Sequence, residues 1–348
     1  MVVYNILVTV LFVFFIISLF LKGNIQITRF LIFISALLLI FIASNRALEV
    51  GTDTLTYYLN FQNIEFEDSV RTYQGIQKGW YYFNYYIHSF LDYDLFMYIV
   101  YSIIISLVCY VSYKNSKQPI FSILLFVLLY FYFSSFNVMR QFLALSFMLL
   151  GYTFLYIGDK KKFVLCLIIS SLFHFTALLM MPLLFIDKLK ISSKFVYLLV
   201  PISFIIGIWY SSLLENIVTY MTIFTALNEG VSGYLDAYGG ERSFFSNFII
   251  NTTFLITYYF AKDKRNIWLL LYLLFIISNN LFGSFGQANR IFWYFQISML
   301  IVLPNTWGNI KNKFYRTCYI LFVLVYAYSI YFISLNANAS EVLPYSFR

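Results

Sequence analysis

Long hydrophobic runs follow one another along almost the whole chain, separated by short polar or charged segments. About 20 consecutive apolar residues cross a bilayer as a helix, so the runs predict membrane-spanning helices. The runs are continuous and lack the alternation of polar and apolar residues that a β-barrel wall requires. The predicted spans are residues 2–21, 27–44, 94–113, 119–134, 138–157, 195–212, 244–261, 267–282, 290–303 and 314–334.

Composition agrees with this pattern and excludes a soluble globular domain. The chain is 61% hydrophobic and only 11% charged, far from the balance of a soluble protein. We therefore expect an all-α, polytopic integral membrane protein of about ten to twelve transmembrane helices. Residues 1–348 are predicted to form a single polytopic membrane domain.

The net charge of +8 resembles that of a nucleic-acid-binding protein until it is sorted by loop. Six loops hold 16 of the 23 Lys and Arg residues but three of the 15 acids, whereas the other loops hold seven basic and twelve acidic residues. The positive-inside rule then makes the six basic loops cytoplasmic. The charge therefore predicts a multi-pass membrane topology and no nucleic-acid partner. The basic loops contain Lys22/Arg29, Lys114/Lys117, Lys160–Lys162, Lys188/Lys190/Lys194, Lys262/Lys264/Arg265 and Lys311/Lys313/Arg316.

The apolar block 163–186 is flanked by basic loops on both sides, so a single crossing breaks the charge rule. Two short segments that meet near His174, with the apex towards the outer side, repair it. Pro182 and Ser170-Ser171 are suitable places for bends. The alternative is one tilted span with the 188–194 loop outside.

Two predicted outer loops are longer than connectors. Residues 45–93 carry most of the outer acids, and their second half is dense in Tyr and Trp, which predicts an interfacial aromatic helix. Residues 213–243 form the second outer loop.

Two arginines stand at the predicted outer start of a hydrophobic run, Arg140 and Arg290. Such a residue can be a snorkelling interfacial arginine. It can equally clamp a phosphate, because the guanidinium fork binds phosphate oxygens bidentately and keeps its charge near a membrane. Asn137 and Gln141 flank Arg140, and Asn137 shares its helix face if the helix starts early enough.

His174 and the segment from Arg46 to Asp53 fall on the same predicted outer side. A neutral imidazole suits general-base chemistry, whereas a buried histidine can also simply bond a backbone carbonyl. Asp53, between Gly51-Thr52 and Thr54, also suits a turn or a helix N-cap. The convergence of these groups, and no single member, indicates a site.

Several familiar chemistries have no residues to carry them. The chain contains no Walker A loop, no His-Glu-x-x-His, no Gly-x-Ser-x-Gly and no Cys-x-x-Cys. Cys109, Cys166 and Cys318 lie inside apolar runs and are expected to be small hydrophobic residues. We expect no metal and no cofactor.

In this order and spacing, the residues resemble the EpsG family of Wzy-type bacterial polysaccharide polymerases over roughly residues 40 to 295. Each motif alone is weak, and the ordered set is fairly specific. Lys78, before Gly79-Trp80, departs from the family pattern, because many members carry an acid there. The motifs are Arg46 with Val50-Gly51-Thr52-Asp53 and Tyr57, Asn137-x-x-Arg140-Gln141, Phe173-His174-x-Thr176-Ala177-Leu178, and Arg290 before Tyr294.

The resemblance implies a membrane glycosyltransferase that joins undecaprenyl-diphosphate-linked oligosaccharides into O-antigen, capsule or exopolysaccharide at the outer face of the cytoplasmic membrane. It implies that Arg140, Arg290 and Arg46 bind the diphosphate, that His174 or Asp53 is the base, and that Asn137, Gln141 and Tyr57 support them. Membrane lipids, a chain-length regulator and a flippase are the implied partners. Alternatives are an O-antigen ligase with the same donor, and a flippase or transporter of lipid-linked glycans.

Overall fold

A computed structural model describes residues 1–21, 23–64, 78–189, 191–225, 243–283 and 288–348. Helices are the regular structure of these residues, apart from one isolated bridge, so the predicted all-α membrane class is confirmed. One 3₁₀-helix, Phe175–Lys188, stands among α-helices. The α-helices are Val2–Phe20 (α1), Ile25–Ser44 (α2), Thr54–Gln62 (α3), Lys78–His88 (α4), Tyr93–Asn115 (α5), Pro119–Leu128 (α6), Phe131–Asn137 (α7), Met139–Tyr156 (α8), Lys160–Phe173 (α9), Ser193–Thr225 (α10), Phe244–Phe260 (α11), Ile267–Phe282 (α12), Ala288–Gln296 (α13), Met299–Asn309 (α14) and Lys313–Asn336 (α15).

Four helices of the described residues, α1, α2, α5 and α15, are long and apolar enough to cross a membrane. The bent pair α6–α7 makes a fifth if it counts as one span. At most a third of the residues in the apolar stretches of α1, α2 and α15 are buried, which suits contact with lipid. The predicted total of about ten to twelve crossings stays a prediction.

Two predicted spans are interrupted. The run 119–134 bends by 52° between α6 and α7, where Tyr130 takes a left-handed backbone conformation with φ of 68°. The run 290–303 divides into α13 and α14 at residues 297–298. Neither break is marked by glycine, so the apolar pattern alone predicts one continuous helix.

The predicted break at His174 is present. Helix α9 ends at Phe173, His174 is extended with φ of −150° and ψ of 114°, and the 3₁₀-helix begins at Phe175. Pro182 lies inside that 3₁₀-helix. The side of the membrane that each end of the 163–186 block faces stays a prediction.

The first predicted outer loop, 45–93, contains α3 and α4, and its residues 65–77 lie outside the described part of the chain. Helix α4 covers the aromatic part of this loop, and its place at the membrane interface stays a prediction. Helix α10 continues to Thr225, into the second predicted loop, of which residues 226–242 are outside the described residues.

The chain separates into two compact units. The first, Met1–Leu184 with Leu303–Arg348, contains the long apolar helices, and the predicted single membrane domain stays a prediction. Cys109 and Cys166 are buried in it and Cys318 is exposed on α15, all three as free thiols.

The second unit, Phe185–Val302, is held by amides between its helices. Asn251 and Asn280 exchange two hydrogen bonds, each 2.8 Å from Nδ2 to Oδ1. Asn280 also donates to the Ser203 hydroxyl at 2.9 Å. Interhelical hydrogen bonds from these amides join α10, α11 and α12.

Candidate functional site

Arg46 follows the end of α2 and is completely buried. Its Nη1 donates to the Ala43 carbonyl, its Nη2 to the Phe136 carbonyl at 3.2 Å, and its Nε to the Thr54 hydroxyl at 3.4 Å. The guanidinium also lies over the rings of Phe136 and Tyr101, at 4.5 and 5.0 Å. Carbonyl dipoles and ring faces stabilise this buried charge. Arg46 therefore joins the end of α2, the start of α3 and the end of α7.

Gly51 lies in the turn between Arg46 and α3, which we call the 46–53 turn. Its φ of +97° is unfavourable for any residue with a side chain, and a β-carbon there would lie 2.8 Å from Asn137 Oδ1. That buried Asn137 oxygen has no hydrogen-bond partner within the described residues. The first and second sequence motifs therefore meet in direct contact.

Asn137 and Arg140 do not share one helix. Asn137 is the last residue of α7, Val138 interrupts the helix with ψ of 52°, and α8 begins at Met139. Asn137 could share a helix face with Arg140 only if the helix that carries Arg140 began earlier, and α8 begins after Asn137. Gln141, on α8, is buried.

Arg140 instead contacts α3. Its guanidinium hydrogen-bonds Tyr57, which is 7% exposed. Burial raises the pKa of the Tyr57 hydroxyl to about 12; the charge of Arg140 lowers it and that of Asp53 raises it. Arg140, Tyr57 and Asp53 are thus one electrostatic cluster.

Asp53 occupies the N-cap position of α3, but its side chain makes no capping hydrogen bond. It is half-buried. The position of Asp53 agrees with the N-cap interpretation given from the sequence, but its carboxylate does not cap the helix.

His174 is half-buried at the junction of α9 and the 3₁₀-helix. Its Nδ1 lies 2.6 Å from the Thr176 hydroxyl, and its ring stacks on Phe175 at a centroid distance of 5.8 Å. When the hydroxyl accepts from Nδ1–H, the basic lone pair of the ring is on Nε2.

Arg140 and His174 lie at the same end of an antiparallel helix pair. The Ser170 hydroxyl on α9 donates to the Ala144 carbonyl on α8 at 2.9 Å. Arg140 precedes Ala144 by four residues and His174 follows Ser170 by four, so each lies about 6 Å beyond that bond along its helix. The two groups therefore reach the same level of the first unit.

Helix α4 links these two parts of the site. Trp80 packs edge-on against Tyr57 at 5.8 Å, and Phe83 packs against Phe173 at 5.6 Å. Gly79 lies so close to Leu172 that a β-carbon would be 2.5 Å from the Leu172 Cβ. The sequence indicated an aromatic interfacial helix but not its packing between α3 and α9. The Gly79-Trp80 pair was the one feature of the sequence from which this packing could have been inferred.

Arg290, on α13, is half-buried in the second unit, near the fully buried Tyr294. Its predicted place in one pocket with Arg140 and His174 stays a prediction. Among the described residues, no group of three His, Cys, Asp or Glu side chains could hold a metal ion.

Sequence reasoning missed one part of the site. Residues 337–348 return to the 46–53 turn, where Arg46 and Phe347 form an isolated antiparallel bridge. The contact uses main-chain groups, so it leaves no residue pattern by which the sequence could have predicted it.

Comparison with known proteins agrees with the motifs. No curated protein and no solved structure matches the chain. The profile of the EpsG family matches residues 29–347, nearly the whole length. The chain therefore belongs to the EpsG family, a family of Wzy-type polysaccharide polymerases, and is a membrane protein of polysaccharide synthesis.

Proposed function

We propose that the protein is a glycosyltransferase that polymerises undecaprenyl-diphosphate-linked oligosaccharide repeat units at the outer face of the bacterial cytoplasmic membrane. The observation that carries the proposal is the cluster of Arg140, Tyr57 and Asp53 at the level of His174. This arrangement offers a cation for a diphosphate and two candidate bases at one end of a membrane helix bundle.

The transfer breaks the bond between the anomeric carbon of the donor glycan and the diphosphate oxygen. The acceptor sugar hydroxyl oxygen forms the new bond to that carbon and gives its proton to the base. Undecaprenyl diphosphate leaves with the bonding electron pair. The lipid diphosphate already activates the donor, so the reaction needs no nucleotide.

Arg140 is the proposed diphosphate ligand of the first unit. Its position beside Tyr57 orients the guanidinium, and its charge would stabilise the negative charge that grows on the leaving group. Arg290 is the proposed second ligand. Gln141, Asn137 and Tyr57 would support Arg140 from α8, α7 and α3.

In the described conformation Arg46 is 0% exposed, and its guanidinium donates to Ala43, Phe136 and Thr54. Direct contact between Arg46 and the diphosphate stays a prediction. The burial favours Arg46 as a positioning residue that holds the turn bearing Asp53.

His174 is the preferred base. The Thr176 hydroxyl orients Nδ1, which would direct Nε2 to the acceptor hydroxyl. Asp53 is the alternative base, and its carboxylate is not engaged in helix capping.

The exposed face of α4 is the proposed surface for the glycan. Tyr82 and Tyr86 are 50% and 63% exposed, and their rings stack on each other at 6.4 Å. The opposite face of α4 packs on Tyr57 and Phe173, so this surface adjoins the proposed site. Tyrosine combines an apolar ring with a hydroxyl, which suits both sugars and the bilayer interface.

Purified protein with lipid-linked repeat units tests the proposal. A ladder of polymer that forms without ATP and in the presence of a chelator supports a metal-independent polymerase. Transfer only to a lipid A-core acceptor would support an O-antigen ligase. Movement of the glycan across vesicles without new glycosidic bonds would support a flippase, and either result would overturn the proposal. A chain-length regulator and a flippase are the proposed protein partners, and co-purification would test them.

A further inference from the structure

Residues 337–348, which we call the return segment, fold back from the end of α15 as an ordered structure. Asn338 accepts from the Leu343 N–H at 2.9 Å and donates to the Leu343 carbonyl at 3.0 Å, which closes a compact loop. Val342 is fully buried, and its carbonyl accepts from the Tyr4 hydroxyl at 3.0 Å. The segment is therefore packed into the first unit.

The return segment pairs with the main chain at both ends of the 46–53 turn. The Ala47 N–H donates to the Ser346 carbonyl at 2.9 Å, and the Gly51 N–H donates to the Glu341 carbonyl at 2.8 Å. Glu341 takes a left-handed φ of 47°. For a residue with a side chain this conformation is costly, and it persists where surrounding contacts impose it. Two main-chain hydrogen bonds therefore join the turn to the return segment.

Arg348 makes the outermost contacts of the segment. Its N–H donates to the Asn45 carbonyl at 2.9 Å, its side chain forms an ion pair with Asp94, and its guanidinium lies 5.1 Å from the centre of the Tyr93 ring. Tyr93 in turn donates to the Thr54 carbonyl at the start of α3, at 3.4 Å. Arg348 thus connects the segment directly to the start of the turn and, through Tyr93, to the residue that follows the turn.

We propose that the return segment is the positioning element of the proposed site and that Arg348 is its positioning residue. It holds the 46–53 turn so that Gly51 contacts Asn137 and Asp53 stays at the start of α3, the helix that carries Tyr57. Without the return segment, the turn would be mobile, and Asp53 would lose its alignment with Arg140. This inference rests on the proposed function for its catalytic part, whereas its structural part can be measured separately.

The structural test uses a spin label at the exposed Thr52, introduced as Thr52→Cys with Cys318→Ser to remove the exposed native thiol. Deletion of residues 344–348 removes the Ser346 carbonyl and all contacts of Arg348. Arg348→Gln and Asp94→Asn, alone and together, remove the ion pair with little change in shape. Arg316→Gln is the matched control, because Arg316 also lies over an aromatic ring, that of Trp307 at 4.9 Å, on the same helix bundle.

We expect label mobility to rise in the deletion variant and, to a smaller extent, in Arg348→Gln, because a partly exposed ion pair contributes little by itself. The double variant should match Arg348→Gln, since that change already removes the ion pair. Turnover per folded molecule should fall about tenfold in the deletion variant, with a smaller change in donor KM. The Arg316→Gln variant should match the wild type in both measurements.

Wild-type label mobility in both the folded deletion variant and Arg348→Gln would overturn the inference. Raised mobility with unchanged turnover would overturn its catalytic part. If the wild type makes no polymer, the proposed function fails, and label mobility alone then decides whether the segment holds the turn.

Discussion

Gly51 and Asn137 are in contact although they belong to separate sequence motifs, and a β-carbon at Gly51 would lie 2.8 Å from Asn137 Oδ1. The contact orders the 46–53 turn against the junction of α7 and α8, which leads directly to Arg140. The geometry of this pair therefore affects how Asp53 and Arg140 are placed relative to each other.

Gly51→Ala should lower polymerisation per folded molecule about tenfold or more, because the methyl group displaces Asn137 and misplaces the turn. Gly23→Ala is the control: its φ is +95°, close to the +97° of Gly51, and no atom lies within 4 Å of its β-carbon position. Both variants carry the backbone cost of about 1–2 kcal/mol. Equal activity of the two variants would show that the Asn137 contact is irrelevant to the reaction.

Arg140→Lys should reduce turnover about 100-fold and weaken photo-crosslinking to a lipid diphosphate analogue, because an ammonium cannot reproduce the bidentate fork. Arg290→Lys should behave in the same way. Arg29→Lys is the control, since Arg29 also bonds a tyrosine hydroxyl, that of Tyr113 at 3.0 Å, but is exposed at a predicted cytoplasmic loop. Normal crosslinking in both Arg140→Lys and Arg290→Lys would refute the diphosphate site.

His174→Ala should lower kcat by about 10²–10⁴ and leave donor affinity near normal, as expected for loss of a general base. Thr176→Val should give a smaller loss, because it removes only the 2.6 Å partner of Nδ1. Asp53→Asn should be milder than His174→Ala in a polymer-length assay on gels. The reverse order would identify Asp53 as the base.

Simultaneous Tyr82→Ala and Tyr86→Ala should raise the acceptor KM and shorten the polymer, whereas the double Phe variant should keep most activity because it keeps both rings. Tyr110→Ala provides the control, with 46% exposure on α5. Unchanged polymer length in the double Ala variant would show that this face of α4 does not bind the glycan.

Asn280→Leu should lower the unfolding temperature by removing the amide partner of Asn251, a loss of about 1–2 kcal/mol. The double variant Asn251→Leu/Asn280→Leu should be less destabilised than Asn280→Leu, since it leaves no unpaired amide in that pair. Asn336→Leu is the control, because that exposed amide bonds a carbonyl of its own helix, that of Phe332. Equal unfolding temperatures for all three variants would contradict the stabilising role of the pair.

The sequence by itself determined the membrane class and the bounds of several helices, because the length of an apolar run is a local property. The runs 2–21, 27–44, 94–113 and 314–334 became α1, α2, α5 and α15 with ends shifted by a few residues at most. The break at His174 was also predicted, since basic loops on both sides of the block 163–186 favoured two short segments over a single tilted span. The ordered motifs were sufficient to indicate the family.

Only the tertiary structure decided how the candidate residues meet. It buried Arg46 between carbonyls and rings, paired Arg140 with Tyr57, and placed α4 between α3 and the end of α9. It also brought the return segment onto the 46–53 turn. All these contacts join residues that are far apart in the chain. Several of them use main-chain groups, which occur at nearly every position, so no local pattern marks the ones that pair.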